Sequence, residues 1–478
     1  MSTDPADLEF AADEMRRMGH ATVERLVDHV LSLETQPARG DVDAADLCRR
    51  LREPAPERGV AYEPLLDRLL AEWVPRSFTA PGPGYLAYIP GGGLYPAGLA
   101  DLIAGVVNRY TGVRLAAPAL VQLEANALDW LREWMAFPTE TSGLFTTGGS
   151  MAQFNAVVCA RERHLGPDIR PGVLYGSTQM HHSMTKSARL AGIMPDRIRA
   201  VPVDERFRMD VDALADMIAA DRRAGFRPFC VASAAGTTNT GAVDPLHAIA
   251  DLCAREGLWH HVDGAYGAFF HLCPELRDLM PGLSRADSLT LDPHKGLFLP
   301  YGTGALLVRD GAVLRRAHEA TASYLPDPDD GDEFYDPHQY GPELSRGFPG
   351  LRVWLCVKLY GAGRFRAALA EKRALALAAA ARMAAVPGIV MAAPPQLSLF
   401  AFHLRWPGAS LAEENRATEL LVERVNLRNR VMLSGAVVEG RFLARVCVLS
   451  FRTRARHVEA CVTDLAEEAA SVLAAASA

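Results

Sequence analysis

The sequence predicts an α/β fold, a mainly parallel sheet sandwiched by helices, preceded by a helical arm and followed by a small α+β unit. Three observations predict it. Between residues 81 and 355, short apolar runs alternate with amphipathic stretches, the pattern of strand–helix–strand units. Helix punctuation fits that alternation: Asp244 and Pro245 read as the N-cap and first-turn proline of one helix, and Gly257 as its end. The 478 residues, 49% of them hydrophobic, suffice for a large core and for more than one domain.

Taken in order, residues 1–80 form the arm. Leu8, Met15, Val23, Leu26, Val27 and Val30 make an apolar stripe at helical spacing, which the Pro and Gly after Thr35 end. Two helices cannot bury such a stripe between themselves, so it needs another surface. Residues 81–355 form the large α/β domain. Residues 356–478 form the small domain, with an Ala-rich helix over Ala367–Ala385, strands over Leu397–Leu404 and Phe442–Leu449, and a last helix from Arg456. There is no internal repeat, and the Ala-rich tail is ordinary helix composition.

Composition narrows the function classes. Fifty Lys and Arg against 57 Asp and Glu leave a net charge of -7, which offers no general attraction to nucleic acid or to anionic membranes. No uninterrupted apolar run approaches the ~20 residues that span a bilayer, and the acidic N-terminus lacks a signal pattern, so a cytoplasmic protein is expected. Eight cysteines without paired spacing suit reduced core thiols better than disulfides.

Four segments carry chemistry. In Ser288–Asp310 a single lysine, Lys295, stands between two apolar strand-like runs, beside His294 and before Gly296. A Schiff-base lysine would sit there, its pKa lowered by burial and neighbours, although a lysine snorkelling from a strand end fits the same residues. Trp259–Phe270 reads as a buried strand ending at Asp263, followed by small residues. Such an acid can keep a pyridine nitrogen protonated, or simply cap a strand. Leu144–Arg163 runs from a strand through Gly148, Gly149 and Ser150 into a helix, whose first amides and dipole favour a phosphate. Plain turn chemistry explains most such triplets as well. Tyr175–Gly192 carries His181 and His182, and an imidazole can stack on a flat ring. Adjacent side chains in extended backbone point to opposite faces, so one of the two serves a given site, and the same holds for His260 and His261. None of these pairs has the spacing of a metal site.

Read together, these segments resemble the pyridoxal-phosphate-dependent amino acid decarboxylases of the aromatic amino acid, glutamate and histidine group. The similarity also takes in P-G-Y-L-A-Y-I-P at Pro83–Pro90, A-A-P-A-L-V-Q-L-E at Ala116–Glu124, A-G-T-T-N-T-G-A-V-D-P, H-V-D-G-A-Y, D-P-H-K and L-S-R-G-F at Leu344–Phe348, all in the family's order. The resemblance implies the fold-type I architecture of pyridoxal-phosphate-dependent transferases and an obligate homodimer with shared active sites. It implies Lys295 as the Schiff-base lysine and Asp263 as partner of the pyridine nitrogen. His181 would stack on one ring face, with Ala265 against the other. Gly149, Ser150 and His294 fall around the phosphate, and Thr238 near the ring. The implied reaction is decarboxylation of an L-amino acid to the amine. Aldehyde formation or a carbon–carbon lyase reaction on the same scaffold, or a silent cofactor-binding scaffold, are the alternatives.

The chain departs from the family in places. Counting back from L-S-R-G-F puts Pro337 where the aromatic branch has a proton-donating tyrosine, leaving Tyr335 and Tyr340 nearby as substitutes. Gly296 replaces a bulky residue, and Arg114 stands where tryptophan is common. Tyr85, Tyr88 and Tyr110 favour an aromatic substrate, whereas Arg114 offers a clamp for an acidic side chain.

Overall fold

The computed structural model describes residues 8–40, 44–319 and 334–476. Its arm contains α1 (Ala12–Ser32), α2 (Ala44–Arg50) and α3 (Tyr62–Arg68). Contacts hold α1 to α3 through Arg25 and Asp67 (2.5 Å) and through Thr22 and Tyr62 (2.6 Å). The stripe is left uncovered: no residue of α1 is buried, and Leu8, Met15, Leu26 and Val27 are all exposed.

Helices α4 (Tyr95–Val107) and α5 (Pro118–Trp134) lead into a seven-stranded sheet. Its members are β1 (Ser142–Thr146), β2 (Gly172–Ser177), β3 (Ile198–Val201), β4 (Arg227–Ala234), β5 (Trp259–Asp263), β6 (Ser288–Leu291) and β7 (Gly304–Val308). Between them run α6 (Gly149–His164), α7 (His182–Leu190), α8 (Val211–Arg223), α9 (Leu246–Glu256) and the one-turn α10 (Pro293–Gly296). The spatial order is β1-β7-β6-β5-β4-β2-β3. From β6 through β3 all pairs are parallel, and β7 runs antiparallel to both β6 and β1. β2 and β6 are buried at every residue, as a sheet covered on both faces requires.

One cap was misassigned. Asp244 does not cap α9: its two carboxylate oxygens accept from the backbone amides of Met209 and Ala234, each at 2.7 Å, and Pro245 takes the cap position. A buried carboxylate is best satisfied by fixed amides from the strands around it, and here those outcompete its own helix. Gly257 ends α9 with φ +65°, as expected.

Beyond α11 (Gly311–His318) the chain enters α12 (Pro349–Met383), broken at Gly361 (φ 70°, ψ 153°), so the Ala-rich helix is the second half of a longer element. A second, antiparallel sheet in the order β10-β11-β9-β8 comprises β8 (Ile389–Met391), β9 (Leu399–Leu404), β10 (Ser434–Val438) and β11 (Arg441–Cys447). It packs with α13 (Leu411–Leu427) and α14 (Ala455–Ala476) around Phe400, Phe402 and Leu465. Two distant motif stretches meet where Glu124 of α5 and Arg346 form a buried ion pair (2.5 Å). All eight cysteines are free, and among the described residues no helix is long and apolar enough to cross a membrane.

Candidate active site

The carboxyl ends of the parallel strands converge on a cavity of about 250 Å3. This is the place where an open parallel sheet leaves a crevice, because successive crossovers diverge there. The β1–α6 turn contributes Thr147, Gly148, Gly149 and Ser150, and the first turns of α6 add Gln153. His181 and Ser183 come from the start of α7, Thr237 and Thr238 from the loop after β4, Asp263 and Ala265 from the end of β5, and Asp292, His294 and Lys295 from α10 and its approach. All ten sequence candidates except Tyr335 and Tyr340 line this one cavity.

Lys295 Nζ lies 2.8 Å from Asp292 Oδ2. Burial acts to lower the lysine's pKa, but the charges of Asp292 and Asp263 outweigh it and hold the group above the ordinary value. This is the reverse of the lowered pKa expected from the sequence, because the fold sets two carboxylates against one buried amine. Asp263 accepts from Gln153 Nε2 at 2.5 Å and from the Ala265 amide at 3.1 Å. Burial pushes its pKa up, against the pull of Lys295 and of those donors. His294 Nδ1 donates to the Thr303 carbonyl (2.8 Å), and burial lowers its pKa. For His181 burial, His182 and Lys295 push the pKa down to about 4, so its imidazole is neutral at pH 7. His182 begins α7 outside the cavity, its ring centroid 4.2 Å from that of His181.

From the second sheet, the buried Arg445 on β11 reaches across to this loop. It donates to the Asn239 carbonyl (3.0 Å), the Thr238 carbonyl and Ser434 Oγ (2.8 Å), so the position of Thr238 depends on both sheets.

Three observations test these residues against pyridoxal phosphate, and they fit. Asp292 Oδ1 is buried without a hydrogen-bond partner, a state that a cation or donor in the cavity would relieve. A Cβ on Gly149 would come 3.1 Å from Asp292 Oδ2 and 3.3 Å from Ala265 Cβ, so a side chain there would crowd the wall that a flat ring needs. Gly148, at φ 150°, turns the chain so that α6, a 16-residue helix, opens its first amides into the cavity beside Ser150.

The remaining candidates lie elsewhere. Tyr335 is half-buried, its hydroxyl buried and unpartnered, its ring 5.1 Å from that of Tyr340, and both line a separate cavity with β1 and α5. Arg114 places its guanidinium over the Phe334 ring at 4.8 Å. Tyr85 is buried, Tyr88 is exposed, and Tyr110 donates to the Leu344 carbonyl. Gly296 has a local cause, since a Cβ there would meet Phe269 at 2.5 Å. Sequence reasoning missed Gln153, Ser183 and Asp292. Asp292 was visible inside D-P-H-K as an acid three residues before the lysine, and Gln153 as the residue one turn beyond Gly149.

The family model described as pyridoxal-dependent decarboxylase conserved domain matches residues 50–405. An aromatic-L-amino-acid decarboxylase of Bacillus atrophaeus is 34% identical, over 94% of this chain and 94% of its own length. The structure of Catharanthus roseus tryptophan decarboxylase in complex with L-tryptophan superposes with a TM-score of 0.90 at 28% identity, covering 97% of this chain and 99% of that one. Rhodiola rosea 4-hydroxyphenylacetaldehyde synthase superposes with a TM-score of 0.89 at 26% identity, covering 98% and 99%.

Proposed function

This chain belongs to the pyridoxal-dependent decarboxylase family, a pyridoxal-phosphate-dependent carboxy-lyase acting on an amino acid, and from that premise we propose that it converts an aromatic L-amino acid to its amine. The observation that carries the chemistry is the cavity in which Lys295, Asp263 and the N-terminus of α6 face one another. Aromatic choice is supported by the relatives, which carry the names aromatic-L-amino-acid and tryptophan decarboxylase. Arg114, packed on Phe334, gives no support to an acidic side chain.

Pyridoxal phosphate supplies an electron sink for the carbanion that loss of the carboxylate leaves on the substrate. The chain's own residues do the rest. Lys295 would provide the amine that holds the cofactor's carbonyl carbon. Asp263, anchored by Gln153 and Ala265, would keep a proton on its ring nitrogen. The amides that open α6, with Gly149, Ser150 and His294, would hold the phosphate, and His181 and Ala265, which line the same cavity, would hold the ring.

The reading extends to a cytoplasmic homodimer with shared sites. Its support is the set of free cysteines and the uncovered apolar surface of α1 and of α4, where Leu102, Ile103, Val106 and Val107 are exposed.

The test is a product assay with L-tryptophan, L-tyrosine and L-phenylalanine, following amine, carbon dioxide, aldehyde and peroxide. Amine with equimolar carbon dioxide is expected, and borohydride should fix the cofactor to the wild type but not to Lys295→Ala. Aldehyde with peroxide from the wild type would move the reading to an oxidative one. Tyr335→Phe and Tyr340→Phe belong in the same assay, with Tyr324→Phe, which falls outside the described residues, as comparator. Tyr335 and Tyr340 lie outside the cavity of their own chain, so a ratio shifted toward aldehyde by either change would assign that tyrosine to the partner's site, and a ratio unchanged in both would remove them as proton donors.

A further inference from the structure

Three hydrogen bonds join two residues of the cavity that the reaction uses separately. Asp263 Oδ2 accepts from Gln153 Nε2 (2.5 Å), Gln153 Oε1 accepts from Ser183 Oγ (2.5 Å), and Ser183 Oγ lies 2.6 Å from His181 Nδ1. Ser183 and Gln153 are buried, and His181 and Asp263, at the two ends of the line, are half-buried on the cavity wall.

The polarity of this line follows from what each group can do. An ionised carboxylate only accepts, so the amide NH2 of Gln153 must face Asp263 and its carbonyl must face Ser183. Ser183 has one hydroxyl proton, and Gln153 takes it. Toward His181 the serine therefore offers a lone pair, and Nδ1 must carry the proton. One contact opposes this: the Ser183 backbone N–H also approaches Nδ1, at 3.3 Å, and would favour a bare nitrogen. The 2.6 Å contact is the stronger of the two, since hydrogen bonds weaken steeply with length.

We infer that Gln153 and Ser183 form a relay through which the charge on Asp263 sets the tautomer of His181, both acting as positioning residues. With Asp263 charged, the proton sits on Nδ1 and Nε2 keeps its lone pair; with that charge removed, the line reverses and the proton moves to Nε2. The relay thus ties the wall imidazole to the group that holds the ring nitrogen's proton. Its link to the reaction rests on the function proposed above, but its existence is a property of the chain alone. The other groups that bear on His181 are His182, Lys295 and Asp292.

An isosteric change supplies the test. In Asp263→Asn the Ala265 amide, which donates to Oδ1, keeps an oxygen at that position and turns the new NH2 toward Gln153. Every bond of the relay must then reverse. Nitrogen NMR of 15N-histidine-labelled protein, with and without cofactor and assigned through His181→Gln, reads the tautomer directly. The expected result is Nδ1–H in the wild type and in Ser183→Thr, and Nε2–H in Asp263→Asn and Ser183→Ala. In Gln153→Leu the tautomer should no longer respond to Asp263→Asn. With cofactor bound, Gln153→Leu should lower kcat roughly ten- to a hundred-fold with little change in KM, the scale on which outer hydrogen bonds to a functional imidazole act. A wild type protonated on Nε2, or one tautomer shared by wild type and Asp263→Asn, overturns the relay. Neither result touches borohydride trapping at Lys295, so failure here is separable from failure of the proposed function.

Discussion

Two acids share one lysine, and their arrangement has a kinetic consequence at the scale of single residues. Asp292 Oδ2 pairs with Lys295 Nζ while Oδ1 has no partner, and Asp263 adds a second negative charge nearby. A lysine so held is more protonated than a free one, which slows its attack on a carbonyl, because only the neutral amine is a nucleophile. Asp292→Asn keeps an acceptor in place but removes the charge. The lysine pKa then falls, the neutral fraction at a given pH rises, and capture of pyridoxal phosphate by the apoprotein speeds up. Stopped-flow imine formation across pH, with Asp263 and Tyr301, whose charges also act on the amine, left unchanged, checks this. A capture profile that does not move toward lower pH would show that Asp292 does not govern the lysine's charge.

At the scale of elements, β5 serves both the cavity and the stability of the fold. Its last residue, Asp263, serves the cavity, while His260 and His261 are buried in its interior, bonded to Ser233 Oγ and Ser288 Oγ at 2.8 Å each. Burial pushes both imidazoles down to about 3 from an ordinary 6.5. In the folded state they are neutral where the unfolded chain would bind protons. Their contribution is therefore complete above pH 6.5 and lost as pH falls toward 3, the unfolded state gaining protons throughout that window. Urea unfolding measured between pH 7.5 and 4.5 should give midpoints that fall from ~6.5 downward; Asp244, pushed up to about 6 by burial, titrates in the same window with the opposite sign, so the slope is read against a variant of the pair. His261→Asn should flatten the slope. A midpoint constant down to pH 5 would contradict the buried-neutral state of the pair.

For the whole molecule, the unburied surface is the informative quantity. The arm has an apolar stripe that its own chain leaves open, and α4 exposes Leu102, Ile103, Val106 and Val107. Surfaces of this kind are usually covered by a partner, and an obligate pair buries upward of ~2,000 Å2. Sedimentation at nanomolar concentration should give a dimer, and deletion of residues 1–40 should produce monomers with reduced activity. A fully active monomer would refute the dimer and the shared site with it.

How far the sequence reaches is clear from particular residues. It determined the strand–helix alternation, the αL ending at Gly257 and the order of the motifs around Gly149, His181, Asp263 and Lys295, because each depends on neighbours within a turn or a strand. A parallel sheet then brings the strand ends together of itself, and eight of the ten site candidates met in one cavity. Relations between segments were decided only in three dimensions. Gln153 meets Ser183 across 30 residues and Asp263 across 110, and no periodicity records such a pairing. Tyr335 and Tyr340 were placed by counting along an acidic, Pro- and Gly-rich loop, where spacing carries little structural information; packing drew both toward β1 and α5 instead. Asp244 looked like a helix cap because local sequence rewards caps, whereas burial gave it to two distant backbone amides. For Gln153 and Asp244 the physical reason is the same: a buried polar group is satisfied by whatever the fold brings beside it, and that partner is set by packing, not by position in the chain.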